Sequence, residues 1–284
     1  TDGLIASAKS IQLDDAKAFY RRHWRPDRAH LVVAGAITRS EVEALFAKHL
    51  SDWRATGPAP DRAAAPNVLT TRPKLVLVDR PKAPQSVLYV VLPGVAANSV
   101  DAARLELLNT ALGGSFTSRL NQNLREDKAW SYGAGSAFLE TRGQGPFFAR
   151  AAVEVNVTGA AVQETIKEIT TMASGGLSPE EYKKVRARDL TDLVETNETI
   201  GGMAGRLSSL AILGLGFDHD AKMSAARQLA TRAELAALAT KYFDVSKATV
   251  IVVGARAQIS AQLKTLGRGA PELWTADGYP APVK

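Results

Sequence analysis

Cysteine is absent from the 284 residues. That excludes disulfides, cysteine-ligated zinc, iron–sulfur clusters and a cysteine nucleophile together. No apolar run reaches about 18 residues, the length a membrane-spanning helix requires. Charge is not gathered into blocks: 35 Lys and Arg against 29 Asp and Glu leave a net charge of +6, spread along the chain. A dispersed excess reads as a solvated surface, and without a basic stripe or an interleaved aromatic pattern it offers nucleic acid no footprint. Hydrolytic signatures are also missing. The four histidines are His23, His30, His49 and His219. No two stand three or four residues apart, so neither HExxH nor the inverted HxxEH exists, and a zinc hydrolase needs both imidazoles on one face. His23 falls in a helix-to-strand turn and reads as a packing residue beside Trp24. There is no GxSxG elbow and no GxxxxGK[ST] loop. Gly201-Gly202-Met203-Ala204-Gly205 has no strand before it and no lysine after it. It reads as a helix break or a close-packing site.

What is present is a repeat. An offset of 219 residues pairs Gly35 with Gly254, Trp24 with Phe243, His23 with Tyr242 and Phe19 with Leu238. Each copy reads as helix, short turn, apolar strand, glycine and helix, the strands being Leu31–Ala34 and Val250–Val253. Helix–strand–helix is a common pattern, so chance similarity is the rival explanation; the matched aromatic position and identical spacing favour a true repeat. On that reading residues 1–55 are the tail of a preceding unit. Residues 56–66, rich in proline and alanine, are a linker. Residues 67–284 form a complete second unit. The chain begins at Thr1 without methionine, which reads either as processing or as the omission of upstream residues.

Within the second unit, Lys74–Val78, Ser86–Leu92, Tyr132–Leu139 and Pro146–Val157 read as strands. Asp101–Leu112 carries Leu105, Leu108 and Leu112 at helical spacing and stops at Gly113-Gly114. Thr117–Asp127 reads as a further helix, and Ala160–Met172 as an amphipathic one. Ser178-Pro179-Glu180-Glu181 and Thr231 with Glu234 are capping boxes that open helices. The sum is an α+β fold, a mainly antiparallel sheet covered by helices on one face.

The segment Leu107–Phe138, LLNTALGGSFTSRLNQNLREDKAWSYGAGSAF, carries the chemistry. Arg125 stands near a helix end and Tyr132 heads the next strand, so both can face one cleft. A permanent cation with several donors and a phenol suit a peptide carbonyl that becomes an oxyanion. Spacing alone fits equally a surface arginine and a strand-end tyrosine.

LGGSFTSRL followed by LREDKAWSYG closely resembles the C-terminal halves of M16 metallopeptidases, the insulinase, pitrilysin and mitochondrial processing peptidase family. RRHWRPDRAHLVVAG and KYFDVSKATVIVVG resemble the ending of that family's units, so the likeness covers nearly the whole chain. The family often has glycine before the tyrosine, where this chain has Ser131. The resemblance implies an M16 or LuxS-like unit fold. It implies that Arg125 and Tyr132 bind peptide and stabilise its oxyanion, and that Gly113, Gly114 and Ser115 occupy the substrate-recognising glycine-rich loop. It implies no cofactor in this chain, with zinc and the general base in an HxxEH half, upstream or on a partner subunit. A non-catalytic scaffolding or peptide-binding subunit is the alternative. Likeness to exported bacterial members, with the lack of thiols, points to the periplasm or secretion rather than the cytoplasm.

Overall fold

The computed structural model describes residues 4–60 and 74–281. Residues 61–66 of the expected linker, and the start of the second unit at 67, lie outside them. The chain forms two compact units. The first comprises Thr1–Ala65 with Val194–Phe217, the second Pro66–Leu193 with Asp218–Lys284.

The first unit contains helices α1 (Ile5–Ser10), α2 (Leu13–His23) and α3 (Arg39–Leu50). Thr38 caps α3: its hydroxyl accepts from the Glu41 N–H (3.3 Å), and Glu41 accepts from the Thr38 N–H (2.7 Å). His23 lies against the Phe19 ring at 4.5 Å, while Trp24 stacks on Tyr20; the expected His23–Trp24 packing is replaced by these two pairs one helical turn apart. The expected strand Leu31–Ala34 does not form. Extended backbone becomes a strand only by pairing, and among the described residues nothing pairs with it. Leu31 and Val33 instead line an open, apolar cavity of about 340 Å³ with Val42, Phe46 and Leu50 of α3.

The second unit is built on six strands: β1 (Leu75–Asp79), β2 (Gln85–Pro93), β3 (Ser131–Phe138), β4 (Pro146–Glu154), β5 (Thr249–Gly254) and β6 (Glu272–Trp274). Their order is β3-β4-β2-β5-β1-β6. The β3–β4, β4–β2 and β2–β5 pairs are antiparallel, and β5–β1 and β1–β6 are parallel. The short β1–β2 link is therefore not a simple hairpin, because β5 returns from the far end of the chain to lie between them. Val155–Val157, expected to prolong β4, is a 3-10 turn leading into a helix.

Helices of this unit are α4 (Ala102–Leu112), α5 (Arg119–Asn121), α6 (Thr158–Gly175), α9 (His219–Leu229), α10 (Arg232–Tyr242) and α11 (Arg256–Lys264); α7 (Pro179–Glu198) runs from it, and α8 (Ile200–Leu213) belongs mostly with the first unit. Alternate residues of β2, β4 and β5 are buried, the period-2 signature of a sheet with one covered face. Val162, Thr165, Ile169 and Met172 bring one stripe of α6 onto that face. Phe147 and Phe243, with ring centroids 5.0 Å apart, anchor the core; burying each such side chain contributes about 1.5–3 kcal/mol. Ser178 and Glu181 close their capping box at the start of α7. Gly201–Gly205 lies inside α8 and does not break it. At its two ends it is not closely packed either: among the described residues a side chain at Gly201 or Gly205 would meet nothing within 4 Å.

Candidate functional site

The site is assembled where α4 ends, at one edge of the sheet. The Gly113 and Gly114 N–H groups both donate to the Asn109 carbonyl, at 2.9 and 2.7 Å. The Gly113 carbonyl then accepts from the Ser136 N–H on β3 at 3.0 Å. The two backbones are so close that any side chain at Gly113 would overlap the Ser136 amide, which explains glycine there physically. At Gly114 a Cβ would stand 2.8 Å from the Asn109 amide nitrogen. Asn109 is buried, and its side-chain oxygen accepts from the Ser136 hydroxyl at 2.8 Å. What the structure shows for this glycine pair is a packing role. Ser115 lines a separate small cleft of about 40 Å³ between the glycine turn and α7, with Thr117, Lys184 and Arg188.

β3 is an edge strand, and exposed edges invite unwanted pairing. Here the Ser136 N–H is taken by Gly113 and the Ala134 N–H by the buried Asn121 side chain (3.2 Å). The glycine turn and one amide therefore blunt the edge.

The expected helix Thr117–Asp127 is shorter and of two kinds. After α5, residues Gln122–Asp127 form a π-helical turn. Such turns insert an extra residue into the helix and rotate the residues beyond it, and they recur at functional sites. The two arginines of this segment have different surroundings. Arg119 faces inward and grips Glu181 bidentately, Nε to Oε1 and Nη2 to Oε2 at 2.6 Å each, while Nη2 also donates to the Gly176 carbonyl. Burial alone would push the Glu181 carboxyl up; the hydrogen bonds from Arg119 and the Ser178 N–H outweigh it and hold the group below its ordinary value. Arg125 faces out. Its guanidinium lies over the Phe116 ring at 4.5 Å, and its Nε is 3.3 Å from Glu126.

The chain then passes through Ala129, whose φ of +54° places an alanine in the left-handed region, and enters β3. The β3–β4 register shifts between Ser131 and Ala134. This bulge lifts Tyr132 out of the ladder, re-aiming a side chain as bulges do. Ser131 holds it: its hydroxyl accepts from the Gly133 N–H (3.1 Å) and donates to the Gly133 carbonyl (2.7 Å). Tyr132 is 91% exposed, and its hydroxyl has no hydrogen-bond partner among the described residues. Arg125 and Tyr132 thus stand on either side of one turn, the first half-buried against Phe116 and the second open to solvent, and no hydrogen bond joins them. The geometry can donate hydrogen bonds and positive charge to something arriving from solvent.

Sequence reasoning missed Asn109, Asn121 and Phe116, the groups that brace this corner. The available signal for Asn109 was an asparagine interrupting the apolar helical run LLNTAL just before the double glycine; nothing in the sequence marked Asn121 or Phe116. For zinc, the fit fails in this chain: among the described residues no three of His, Cys, Asp and Glu come together in an arrangement able to hold a metal ion.

Comparison with known proteins gives a consistent set. The family described as the peptidase M16 inactive domain matches residues 10–188, more than half of the chain. An uncharacterized zinc protease of Streptomyces coelicolor is 28% identical over 222 residues, covering 75% of this chain and 43% of that protein. A second, from Bacillus subtilis, is 25% identical over 208 residues, covering 72% and 48%. The chain therefore spans less than half the length of these relatives. Among solved structures, a peptidase M16 inactive domain from Pseudomonas fluorescens superposes with a TM-score of 0.74 at 22% identity, covering 89% of this chain and 60% of that one. A protease from Helicobacter pylori gives 0.78 at 18%, covering 89% and 61%. At such identities the structural likeness speaks for the fold alone.

Proposed function

The chain belongs to the peptidase M16 inactive-domain family, and from that premise we propose that it is the substrate-enclosing part of an M16 zinc metalloendopeptidase. Zinc and the general base come from an HxxEH half that this sequence does not contain, in the same polypeptide or on a partner subunit. Residues 1–55 are the tail of the unit preceding the complete one, which the matched repeat supports. The substrate is an extended peptide, and the compartment is the periplasm or outside the cell.

The observation that carries the reading is Tyr132, almost fully exposed on a hydroxyl-braced bulge with its own hydroxyl unengaged, one turn from an outward-facing Arg125. A surface tyrosine with no ligand to meet has no need of such bracing. As the scissile carbonyl becomes tetrahedral its oxygen gains charge. Arg125 supplies a cation that stays charged at any working pH, and the Tyr132 phenol donates a hydrogen bond; donors fixed before the reaction stabilise that charge without reorganising.

In the full-length enzyme, Arg125→Ala and Tyr132→Phe should each lower turnover of an internally quenched, unstructured peptide by roughly ten- to a thousandfold, the scale of a lost oxyanion donor. Unchanged turnover in both removes the role. The second reading, a non-catalytic peptide-binding or scaffolding subunit, draws on the family's description as an inactive domain. It predicts that Arg125→Ala weakens peptide binding in a complex whose turnover does not depend on this chain.

A further inference from the structure

We propose that Phe116 is a positioning residue for Arg125: its ring is the platform that holds the guanidinium outward and in one place, and Asn121 fixes the platform relative to Tyr132. The proposal rests on the functional reading above and assigns a role to a residue outside the Arg/Tyr pair and the glycine turn.

An arginine side chain has four rotatable bonds, and on an exposed surface it samples many rotamers. Immobilising a long side chain when a ligand binds costs affinity, and fixing it beforehand recovers that cost. Arg125 has few means of being fixed. Its Nε lies 3.3 Å from the adjacent Glu126 carboxylate, and with 38% and 45% of the two side chains exposed water screens the pair, which restrains Arg125 weakly. Among the described residues the other side-chain partner of Arg125 is Phe116, whose ring centroid is 4.5 Å from the guanidinium carbon, within cation–π range. A guanidinium laid on a ring keeps its in-plane N–H groups free to donate at the edges. The stack therefore orients the group without consuming the donors a peptide carbonyl would use.

Phe116 itself is 63% exposed, an unfavourable place for a large ring with only a packing role. Its backbone is nevertheless pinned. The buried Asn121 side chain donates from Nδ2 to the Phe116 carbonyl at 2.6 Å. The same side chain accepts the Ala134 N–H through Oδ1 at 3.2 Å. Ala134 is where β3 rejoins its ladder after the bulge that presents Tyr132. One buried amide thus ties the ring under Arg125 to the strand that carries Tyr132. The two donors of the proposed oxyanion site are set against each other through Phe116, Asn121 and Ala134, although they do not touch.

The test has two independent readouts. In the full chain, the Arg125 side-chain Nε–H resonance should be shifted by the Phe116 ring current; Phe116→Leu should abolish that shift, Phe116→Trp retain one, and the dispersed backbone amide spectrum should stay in place. In the full-length enzyme, with an internally quenched, unstructured peptide, Phe116→Leu should lower kcat/KM about two- to fivefold. That is the worth of an exposed cation–π pair at tenfold per 1.36 kcal/mol. Phe116→Trp should restore it, and Phe116→Leu should have no further effect in an Arg125→Ala background. An Arg125 resonance indifferent to Phe116, or an equal loss in the Arg125→Ala background, overturns the positioning role. Full activity of Arg125→Ala sinks the functional reading and with it the catalytic meaning of the platform, while leaving the ring contact itself to the spectrum.

Discussion

Residues 13–35 and 232–254 follow the same local path to opposite ends. The helices α2 and α10, Leu13–His23 and Arg232–Tyr242, begin and end in register at the offset of 219. So do the 3-10 turns Pro26–Arg28 and Val245–Lys247. The same hydrogen bonds close both ends: Trp24 N–H to Tyr20 (2.9 Å) and Phe243 N–H to Ala239 (3.0 Å), Ala29 N–H to Pro26 (3.3 Å) and Ala248 N–H to Val245 (3.2 Å). After that they part. Phe243 is sealed in the core and Trp24 is 64% exposed; Val250 and Val252 are fully buried on β5, while Leu31 and Val33 are 61% and 45% exposed and form no strand. The difference is not in the segments themselves. β5 lies between β1 and β2 and meets helices on its inner face, whereas 30–35 has no partner strand among the described residues. Helices and turns close their hydrogen bonds locally; a strand borrows its structure from its neighbours.

The sharpest way to break the comparison is to place the same charge in both copies. Val252→Asp buries a carboxylate in an apolar sheet and should cost at least about 4 kcal/mol, or prevent folding. Val33→Asp sits in the same register of the other copy and should stay within about 0.5 kcal/mol of the parent. Urea denaturation followed by tryptophan fluorescence, with expression yield for the first variant, measures both. Equal losses would mean that the 30–35 segment is buried in solution and that its lack of a partner strand is not what separates the copies.

Ion pairs offer a gentler contrast. Arg39–Glu43 on α3 is almost fully solvated, whereas Arg119–Glu181 in the second unit is mostly buried and bidentate. Removing half of the first should change nothing measurable. Glu181→Gln should destabilise by about 2 kcal/mol, less than the 3–5 kcal/mol of a fully buried pair because water still reaches the carboxylate. The pH dependence follows from the lowered Glu181 pKa. Its contribution is complete above the ordinary glutamate value of 4.5 and drains away as the pH falls below it, when the folded state must accept a proton it resists. Melting temperatures from pH 7 to 3 should therefore fall less steeply for Glu181→Gln than for the parent. Parallel curves would show that the pair contributes no acid sensitivity.

What could be read from residues alone divides along the same line. The Ser178–Glu181 and Thr231–Glu234 boxes, the stop at Gly113-Gly114 and the strand runs at Val76, Leu88 and Val250 declare themselves over a few neighbouring positions. The insertion of β5 between β1 and β2 does not, because it joins residues 158 to 175 apart in the chain, Val91 with Thr249 at one extreme and Leu75 with Val250 at the other, and sequence periodicity carries no partner information. Leu31–Ala34 has a strand's composition without a strand's pairing. The π turn that carries Arg125 has no compositional mark. At the site, the motif singled out Arg125 and Tyr132, the pair on which the proposed function rests. It did not single out their supports, since a ring under a guanidinium and an asparagine bridging two segments are visible only once the chain is folded. The glycines were legible as a turn, but their contact with Ser136 was not.

The smallest effect concerns the helices the two copies share. α10 is capped by Thr231, whose hydroxyl accepts the Glu234 N–H at 3.2 Å while the Thr231 N–H donates to Glu234 at 2.7 Å. In the other copy Gln12 gives its N–H to Asp15 at 2.8 Å, but its side chain turns back to the Ser10 carbonyl and caps nothing. Thr231→Ala should therefore cost about 1 kcal/mol, a few degrees in melting temperature, and Gln12→Ala close to nothing. Gln12→Thr is the informative variant. If the two helices differ only in their surroundings, restoring the hydroxyl should protect the α2 amides from hydrogen exchange by severalfold without changing the melting of the second unit. If exchange in α2 stays the same, its ends are held by something other than the local hydrogen bonds it shares with α10, and the likeness of the two copies stops at their shape.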